Sequence, residues 1–400
     1  MIDRWSKVRF VDKNGLVYTR LLTPPEGKSF FLFGPRGTGK SSWVRATFPK
    51  ALFVDLLESR NWVELQADPG RLEGRIPPGH KDWVVIDEVQ RVPAVLDEVH
   101  RLIESRRLKF ILTGSSARKL RRGGANLLAG RALTLAMHPL TATETGKDFS
   151  LQRALRHGQL PAVYSEKEPE RFLSAYVQTY LREEVQQEGL VRNLAAFTRF
   201  LEVAAFSQAS VLNISNVARE AAVNRKVAED YFAVTEDLLI ATRLTPFTRR
   251  AKRESIVHPK FFFFDAGVFR SLRPRGPLDS ENELRGPAAE TLVLQELRAI
   301  NDGLGFGYSI HFWQPRQGRE VDFVLYGPRG LLAIEVKTSS MVRPADLEGL
   351  KLFGEDYPQS RRLLFHGGRA RRHEDGIELV PLGEGLERLP EFLRADQPRK

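Results

Sequence analysis

The sequence predicts an α/β protein built in more than one part, and three observations carry that expectation. An apolar run, Phe30-Phe31-Leu32-Phe33, leads straight into the glycine-rich stretch Gly34-Pro35-Arg36-Gly37-Thr38-Gly39-Lys40-Ser41-Ser42. Short apolar runs then alternate with helix-like stretches, the pattern of a parallel sheet covered on both faces. In the last third, two alternating runs flank a Gly-Pro-Arg-Gly turn, the pattern of an antiparallel hairpin. A chain of 400 residues fits two or three domains at about 150 residues each. The expected divisions are residues 1–150, 151–275 and 276–400.

The glycine-rich stretch has the spacing of a phosphate-binding P-loop. Gly34, Gly37 and Gly39 lack a Cβ, so the backbone can wrap closely around phosphate oxygens. The N–H groups of the loop, which Pro35 lacks and Arg36 and Thr38 carry, and those of the helix that begins near Lys40 point at an anion. Lys40 reaches the β/γ-phosphates and the Ser41 hydroxyl ligates Mg²⁺, with Ser42 beside it. A second apolar strand is expected at Ala51–Leu56, then a polar helical region broken by Pro77-Pro78-Gly79. Trp83-Val84-Val85-Ile86-Asp87-Glu88 reads as a buried strand ending in two acids. Asp87 is expected to hold Mg²⁺ and Glu88 to orient the attacking water.

Helix-like sequence from Ala94 to Arg107 precedes the strand Leu108–Thr113. Polar residues at that strand end fall where ligands of open α/β sheets bind. Thr113 or Ser115 is therefore either a γ-phosphate sensor or a cap for the next helix. Leu128-Ala129-Gly130-Arg131 precedes a strand at Ala132–Leu135. Arg131 either neutralises transition-state charge on the γ-phosphoryl group or is a plain surface arginine.

Residues 150–190 read as helical, broken at Gly158 and Pro161 and resuming from Glu170 to Gln187. Three short helices follow, at Leu194–Gln208, Ser215–Ala222 with Ser215 as its N-cap, and Asn224–Leu239. Ile240–Phe247 and Lys260–Asp265 then form a hairpin with the basic tip Arg249–Arg253. Three helices and a basic hairpin predict a winged-helix-like region whose third helix, starting near Arg225 and Lys226, enters a major groove. A helical linker is the competing reading.

In the C-terminal third, Gly318–Tyr326 and Leu331–Lys337 read as a hairpin with a four-residue turn at Gly327–Gly330. Pairing Tyr326 with Leu331 places Asp322 opposite Glu335 and Glu320 opposite Lys337, with the Cβ atoms of each pair about 5 Å apart. Two facing carboxylates repel unless a cation lies between them, and Mg²⁺ suits two hard oxygen donors. Lys337 projects to the same side and can orient water or steady a phosphate. Glu290 shares a helical face with Val293, Leu294 and Leu297, so it aims inward. A charge ladder across the two strands is the alternative.

Composition narrows the rest. The formal net charge of +11 favours polyanionic partners, nucleic acid first. The absence of cysteine excludes disulfides, thiolate metal sites and cysteine nucleophiles. The eight histidines show no metal-ligand spacing. Met1–Ser6 has no apolar signal core, and the aromatic run Phe261–Phe264 is too short to span a bilayer, so a cytoplasmic protein is expected.

The two constellations together resemble a family of bacterial and archaeal AAA+-like ATPases with a C-terminal domain of unknown function similar to restriction endonucleases. The resemblance spans nearly the whole chain. It rests on the P-loop, on Val84–Glu88, Leu112–Ser116, Leu128–Arg131 with Pro139-Leu140-Thr141, Phe263–Gly267, and Glu320–Phe323 with Ile334–Lys337. It implies a P-loop NTPase domain, a middle region, and a PD-(D/E)XK-type α/β domain with Asp322 and Glu335 as metal ligands. On the same resemblance Lys337 is the catalytic lysine and Glu290 the helical acid. No second arginine sensor follows the first domain, a departure that bears on ring assembly. Three functions follow as expectations: ATP hydrolysis, ATP-controlled Mg²⁺-dependent DNA cleavage, and a nucleotide switch that binds DNA or a protein partner without cutting. For the last, the tip at Arg249–Arg253 and the tract Arg369–His373 suit phosphate contacts.

Overall fold

The computed structural model describes residues 9–11, 17–116, 128, 130–181, 185, 191, 193–249, 253, 256–277, 279–316 and 319–394. Ala129, most of the basic tip (residues 250–252), the end of the expected helix at 186–187 and Gly318 lie outside the described residues. The chain divides into two compact units. The first runs to His138 and includes Asp237–Leu239; the second comprises Pro139–Glu236 and the residues from Ile240 onward.

In the first unit, β1 (Arg9–Val11) and β2 (Val17–Thr19) form a small antiparallel pair. β3 (Ser29–Phe33), β4 (Leu52–Asp55), β5 (Trp83–Asp87), β6 (Lys109–Gly114) and β7 (Ala132–Ala136) form a parallel sheet in the order β4-β5-β6-β3-β7. The strands read as continuous apolar runs because both faces are covered. Alternate residues enter different cores. Phe31, Phe33, Val84, Ile86, Phe110 and Leu112 pack with α2 (Ser59–Ala67), α3 (Arg71–Arg75) and α4 (Val95–Arg106) through Leu65, Leu72 and Val99. Phe30, Leu32, Val85 and Ile111 pack instead with Trp43 and Val44 of α1 (Lys40–Thr47). All five strands run the same way, so Gly34, Asp55, Asp87 and Gly114 reach one edge of the sheet together.

The second unit begins with α5 (Ala142–Thr145), capped by a reciprocal Thr141–Glu144 box. Next come α6 (Leu151–His157), α7 (Pro161–Ser165) and α8 (Pro169–Ala175). The three expected helices are α9 (Leu194–Ala204), α10 (Ile214–Glu220) and α11 (Arg225–Asp237). Asparagines start all three. Asn193, Asn213 and Asn224 accept the amides of Ala196, Asn216 and Val227 at 3.0, 3.1 and 2.9 Å. Asn213 thus replaces Ser215 as the cap of α10, and Ser215 falls in its first turn. After the short β8 (Ser210–Val211), β9 (Ala241–Leu244) and β10 (Lys260–Phe263) pair antiparallel, followed by α12 (Ala266–Leu272). Phe200 meets Tyr231 and Phe232 edge-on, and Phe232 meets Phe261, locking the helices to the hairpin.

The long α13 (Glu281–Gly303) leads into a mixed six-stranded sheet. Its strands are β11 (Ser309–Trp313), β12 (Val321–Gly327), β13 (Gly330–Lys337), β14 (Arg361–His366), β15 (Arg372–Glu374) and β16 (Ile377–Pro381), in the order β11-β12-β13-β14-β16-β15. Tyr326 pairs with Leu331, as the hairpin reading expects, and Gly327 with Gly330, which leaves only Pro328 and Arg329 in the loop. The expectation of one core face and one acid-bearing face needs revision. Helix α14 (Pro344–Asp356) covers the latter with Leu347, Leu350 and Phe353, which pack on Val324, Ala333 and Leu364. Helices α15 (Leu382–Glu387) and α16 (Leu389–Phe392) end the described chain.

Candidate nucleotide site and a second carboxylate cluster

The loop after β3 is shaped for close backbone approach. Gly37 and Gly39 have φ of 83° and 90°, in the left-handed region open to glycine. A Cβ on Gly34 would lie 2.2 Å from the Met137 carbonyl oxygen, so no other residue fits there. The Gly34 amide donates to the Gly114 carbonyl at 3.3 Å, tying the loop to the end of β6. Lys40 is buried, and its Nζ donates to the carbonyls of Gly34 at 2.7 Å and Pro35 at 3.1 Å. Thr38 Oγ1 closes the loop onto the Pro35 carbonyl at 2.8 Å. Arg36 is half-buried and Ser42 exposed.

The acids meet this loop across the sheet. Ser41 Oγ donates to Asp87 Oδ1 at 3.0 Å, and the Thr113 hydroxyl donates to the same oxygen. The Glu88 amide donates to Thr113 Oγ1 at 3.3 Å. Glu88 itself has φ of 59°, a left-handed conformation that is costly for a residue with a Cβ and recurs at functional sites. Gln90 Nε2 donates to the Glu88 carboxylate and, at 3.0 Å, to Ser115 Oγ. The structure therefore brings Lys40, Ser41, Asp87, Glu88, Thr113 and Ser115 to one sheet edge. Gln90, which the sequence reading passed over, joins Glu88 to Ser115. Its signal was only its position two residues after the paired acids.

Arg131 is not brought there. It precedes β7, whose Ala132 aligns with Ser29 at the start of β3, so it lies at the opposite edge of the sheet from the P-loop. Its guanidinium pairs with Glu104 of α4. Reach to the γ-phosphoryl group from within the same chain is ruled out by strand direction.

The second constellation gathers around a residue the sequence reading did not select. Lys260, the first residue of β10, is 1% exposed. Its Nζ lies 3.2 Å from Glu320 Oε1, 3.4 Å from Asp322 Oδ1 and 3.6 Å from Glu290 Oε2. Asp322 and Glu335 stand together beyond the last ladder pair, Phe323–Ile334. There side chains replace backbone bonds: the Asp322 amide donates to Glu335 Oε2 at 3.3 Å and the Val336 amide to Asp322 Oδ2 at 2.9 Å. Lys337 Nζ donates to Glu335 Oε1 at 2.6 Å. Two expectations change. Glu320 does not face Lys337 in a ladder, because β12 begins at Val321 and Glu320 turns to Lys260. Beside Asp322 the chain itself supplies an ammonium group, a cation that the sequence reading did not place there. No single sequence signal pointed to Lys260, since only folding carries β10 beside β12.

Burial and the neighbouring Asp322 carboxylate push Glu335 up to about 8, and the same causes hold Glu290 well above the usual carboxylate range. Four carboxyls against two lysines leave a formal deficit of positive charge, which protons on Glu290 and Glu335 would relieve. All four oxygens of Asp322 and Glu335 already lie against donors of the chain. As arranged, these residues do not fit a bare divalent cation. Among the described residues, no group of three or more His, Asp or Glu side chains is placed to hold a metal ion.

Comparison with known proteins finds three matched segments along the chain. Residues 26–146 match the family described as AAA domain. That segment is an AAA-like, nucleotide-binding P-loop domain. Residues 148–279 match the domain of unknown function DUF8612, and residues 285–384 the domain of unknown function DUF4143. An uncharacterised protein of Haemophilus influenzae is 22% identical over 340 residues, covering 80% of this chain and 81% of that protein. Among solved structures, NtrX from Brucella abortus aligns with a TM-score of 0.25 at 13% identity, over 70% of this chain and 62% of its own. The Vibrio cholerae protein VC1899 aligns with a TM-score of 0.23 at 13% identity, over 91% and 96%. Scores this low carry no fold assignment. No described helix is long and apolar enough to cross a membrane.

Proposed function

We propose that the protein binds and hydrolyses ATP at the edge of the first sheet. The observation that carries this reading is the convergence of Lys40, Ser41 and Asp87, with Ser41 Oγ 3.0 Å from Asp87 Oδ1. The glycines expose loop amides to phosphate oxygens, and Lys40 exchanges its loop carbonyls for the terminal phosphates. Ser41 and Asp87 offer hard oxygens to Mg²⁺, which when bound neutralises charge on the phosphoryl oxygens. Glu88 accepts a proton from water aligned with the γ-phosphorus, and Gln90 and Thr113 hold that end of β5 in register with the loop. Lys40→Ala should weaken ATP about ten- to a hundredfold, the loss of one or two charge-assisted hydrogen bonds. Glu88→Gln should keep ATP bound and cut turnover at least about a hundredfold. Turnover at the native rate by Glu88→Gln would dismiss this assignment.

For the remainder, our reading keeps a winged-helix-like region at residues 151–275 and a nuclease-like domain at 276–400, with DNA as the polyanionic partner. Two versions differ on whether Asp322, Glu335, Lys337 and Glu290 cut DNA with Mg²⁺. The placement of Lys260 among three of the acids favours the version in which the domain binds DNA, or a protein, without cutting. A resident ammonium group supplies the attraction a metal would otherwise provide.

A further inference from the structure

Four arginines line one cleft of about 250 Å³ in the second unit, between α8 and the segment that starts with α12. They are Arg156, Arg270, Arg273 and Arg275, with Ser271 and Leu173 beside them. Their acidic partners are poorly matched to them. The Arg270 side chain is 3% exposed, yet it pairs with Glu281, which is 68% exposed. Arg156 pairs with Glu170 at 2.8 Å, both 62% exposed, and Arg273 sits 3.7 Å from Asp279. Arg275 makes no ion pair among the described residues; its Nη2 donates to the Arg270 carbonyl at 3.1 Å. The Nε atoms of Arg270 and Arg273 are buried without a hydrogen-bond acceptor. Partial loss of solvent and the nearby Arg270 charge lower the Arg275 pKa, and the more distant carboxylates of Glu281 and Glu170 only partly oppose them.

The Glu281 carboxylate stands mostly in water, so it is well solvated once released and competes only weakly for the Arg270 guanidinium. An incoming anion can replace Glu281 at little loss and also satisfy the orphaned Nε donors. Guanidinium forks favour planar, bidentate contact with phosphate oxygens. A phosphodiester brings two free oxygens and one charge. A terminal phosphate brings three oxygens and a charge of about −1.5 to −2, a better match to this many donors.

We propose that this cleft is a second anion site, distinct from the P-loop, which takes a terminal phosphate group through Arg270, Arg273 and Arg275. The source is a small phosphate ester or the phosphorylated end of a nucleic acid.

The test is isothermal titration of inorganic phosphate into the full chain carrying Lys40→Ala, which disables the P-loop lysine. One site is expected. Adding Arg275→Glu should weaken it at least tenfold, and adding Glu281→Gln should tighten it severalfold by removing the competing carboxylate. Arg275 is exposed, so an unchanged melting temperature without phosphate shows that its variant folds. Phosphate binding that ignores both substitutions overturns the proposal. An oligonucleotide with a 5′-phosphate that competes identifies a nucleic-acid end as the source; competition by small phosphate esters alone identifies a small molecule. A 5′-hydroxyl oligonucleotide that competes equally well would overturn the terminal-phosphate assignment.

Discussion

Lys260 changes the meaning of its neighbours more than any other residue. The carboxylates around it, read as a pair, call for a metal; read with the ammonium group in place, they form a buried ion network. Removing one side of such a network leaves uncompensated charge, typically destabilising by about 3–5 kcal/mol. Lys260→Met should therefore lower the unfolding free energy of the second unit, read from urea titration, by an amount in that range. The loss should be smaller at pH 6 than at pH 8, because Glu335, pushed up to about 8 in the folded state, carries its proton at the lower pH. A midpoint unchanged at both pH values would show that Lys260 is dispensable to the cluster.

At the scale of elements, buried caps hold the second unit together. Asp265 caps α12, accepting the amides of Gly267 at 2.8 Å and Val268 at 3.0 Å, and also that of Gln159 at 2.7 Å. A Cβ on Gly158 would lie within 2.0 Å of this carboxylate, and one on Gly267 within 2.1 Å of the His157 carbonyl oxygen, so α12 seats only against glycine. Glu296 on α13 does the same for α5, accepting from the Ala142 amide at 2.7 Å and from Gln159 Nε2 at 2.9 Å. Burial raises Asp265 to about 6, and its three backbone donors hold it back from rising further. The unfolded carboxyl titrates near 3.8. Below that value both states are protonated; between the two, the folded state holds a proton that the unfolded state has lost. Stability from this group is thus highest in acid and falls as pH rises to 6, then levels off. The stability advantage of the native protein over Asp265→Asn should shrink between pH 4 and pH 7 in urea titrations. An advantage that grows over that range would show the carboxylate to be favoured by its cap.

For the whole molecule, the charge of +11 governs association. Much of the described basic surface is already countered: Arg225 pairs with Glu229, and Arg371 with Glu378 and Glu384. Lys226, Arg369 and Arg372 are exposed. Binding to duplex DNA through such groups should weaken steeply with salt, with a slope of about −0.9 per phosphate contacted. With ATP and Mg²⁺ present, we expect binding without strand scission, in the native protein and in the Asp322→Ala, Glu335→Ala double variant alike. Scission that disappears in the double variant would establish the cutting version, and salt-insensitive retention would point to a protein partner.

The chain's local chemistry alone determined the first sheet, the P-loop and the acid-tipped strand. Each is written in contiguous residues whose glycine spacing or apolar run has few other uses. It likewise determined the three middle helices and the register of the hairpin from Phe323 to Ile334, because side-chain period and turn chemistry are short-range properties. Only the tertiary structure decided which end of the sheet Arg131 occupies, that Gln90 joins Glu88 to Ser115, and that Lys260 enters the acid cluster. It also decided that four arginines from α6 and from α12 onward share one cleft. Those groupings depend on strand direction and on contacts between residues tens of positions apart, where spacing along the chain carries no information about distance.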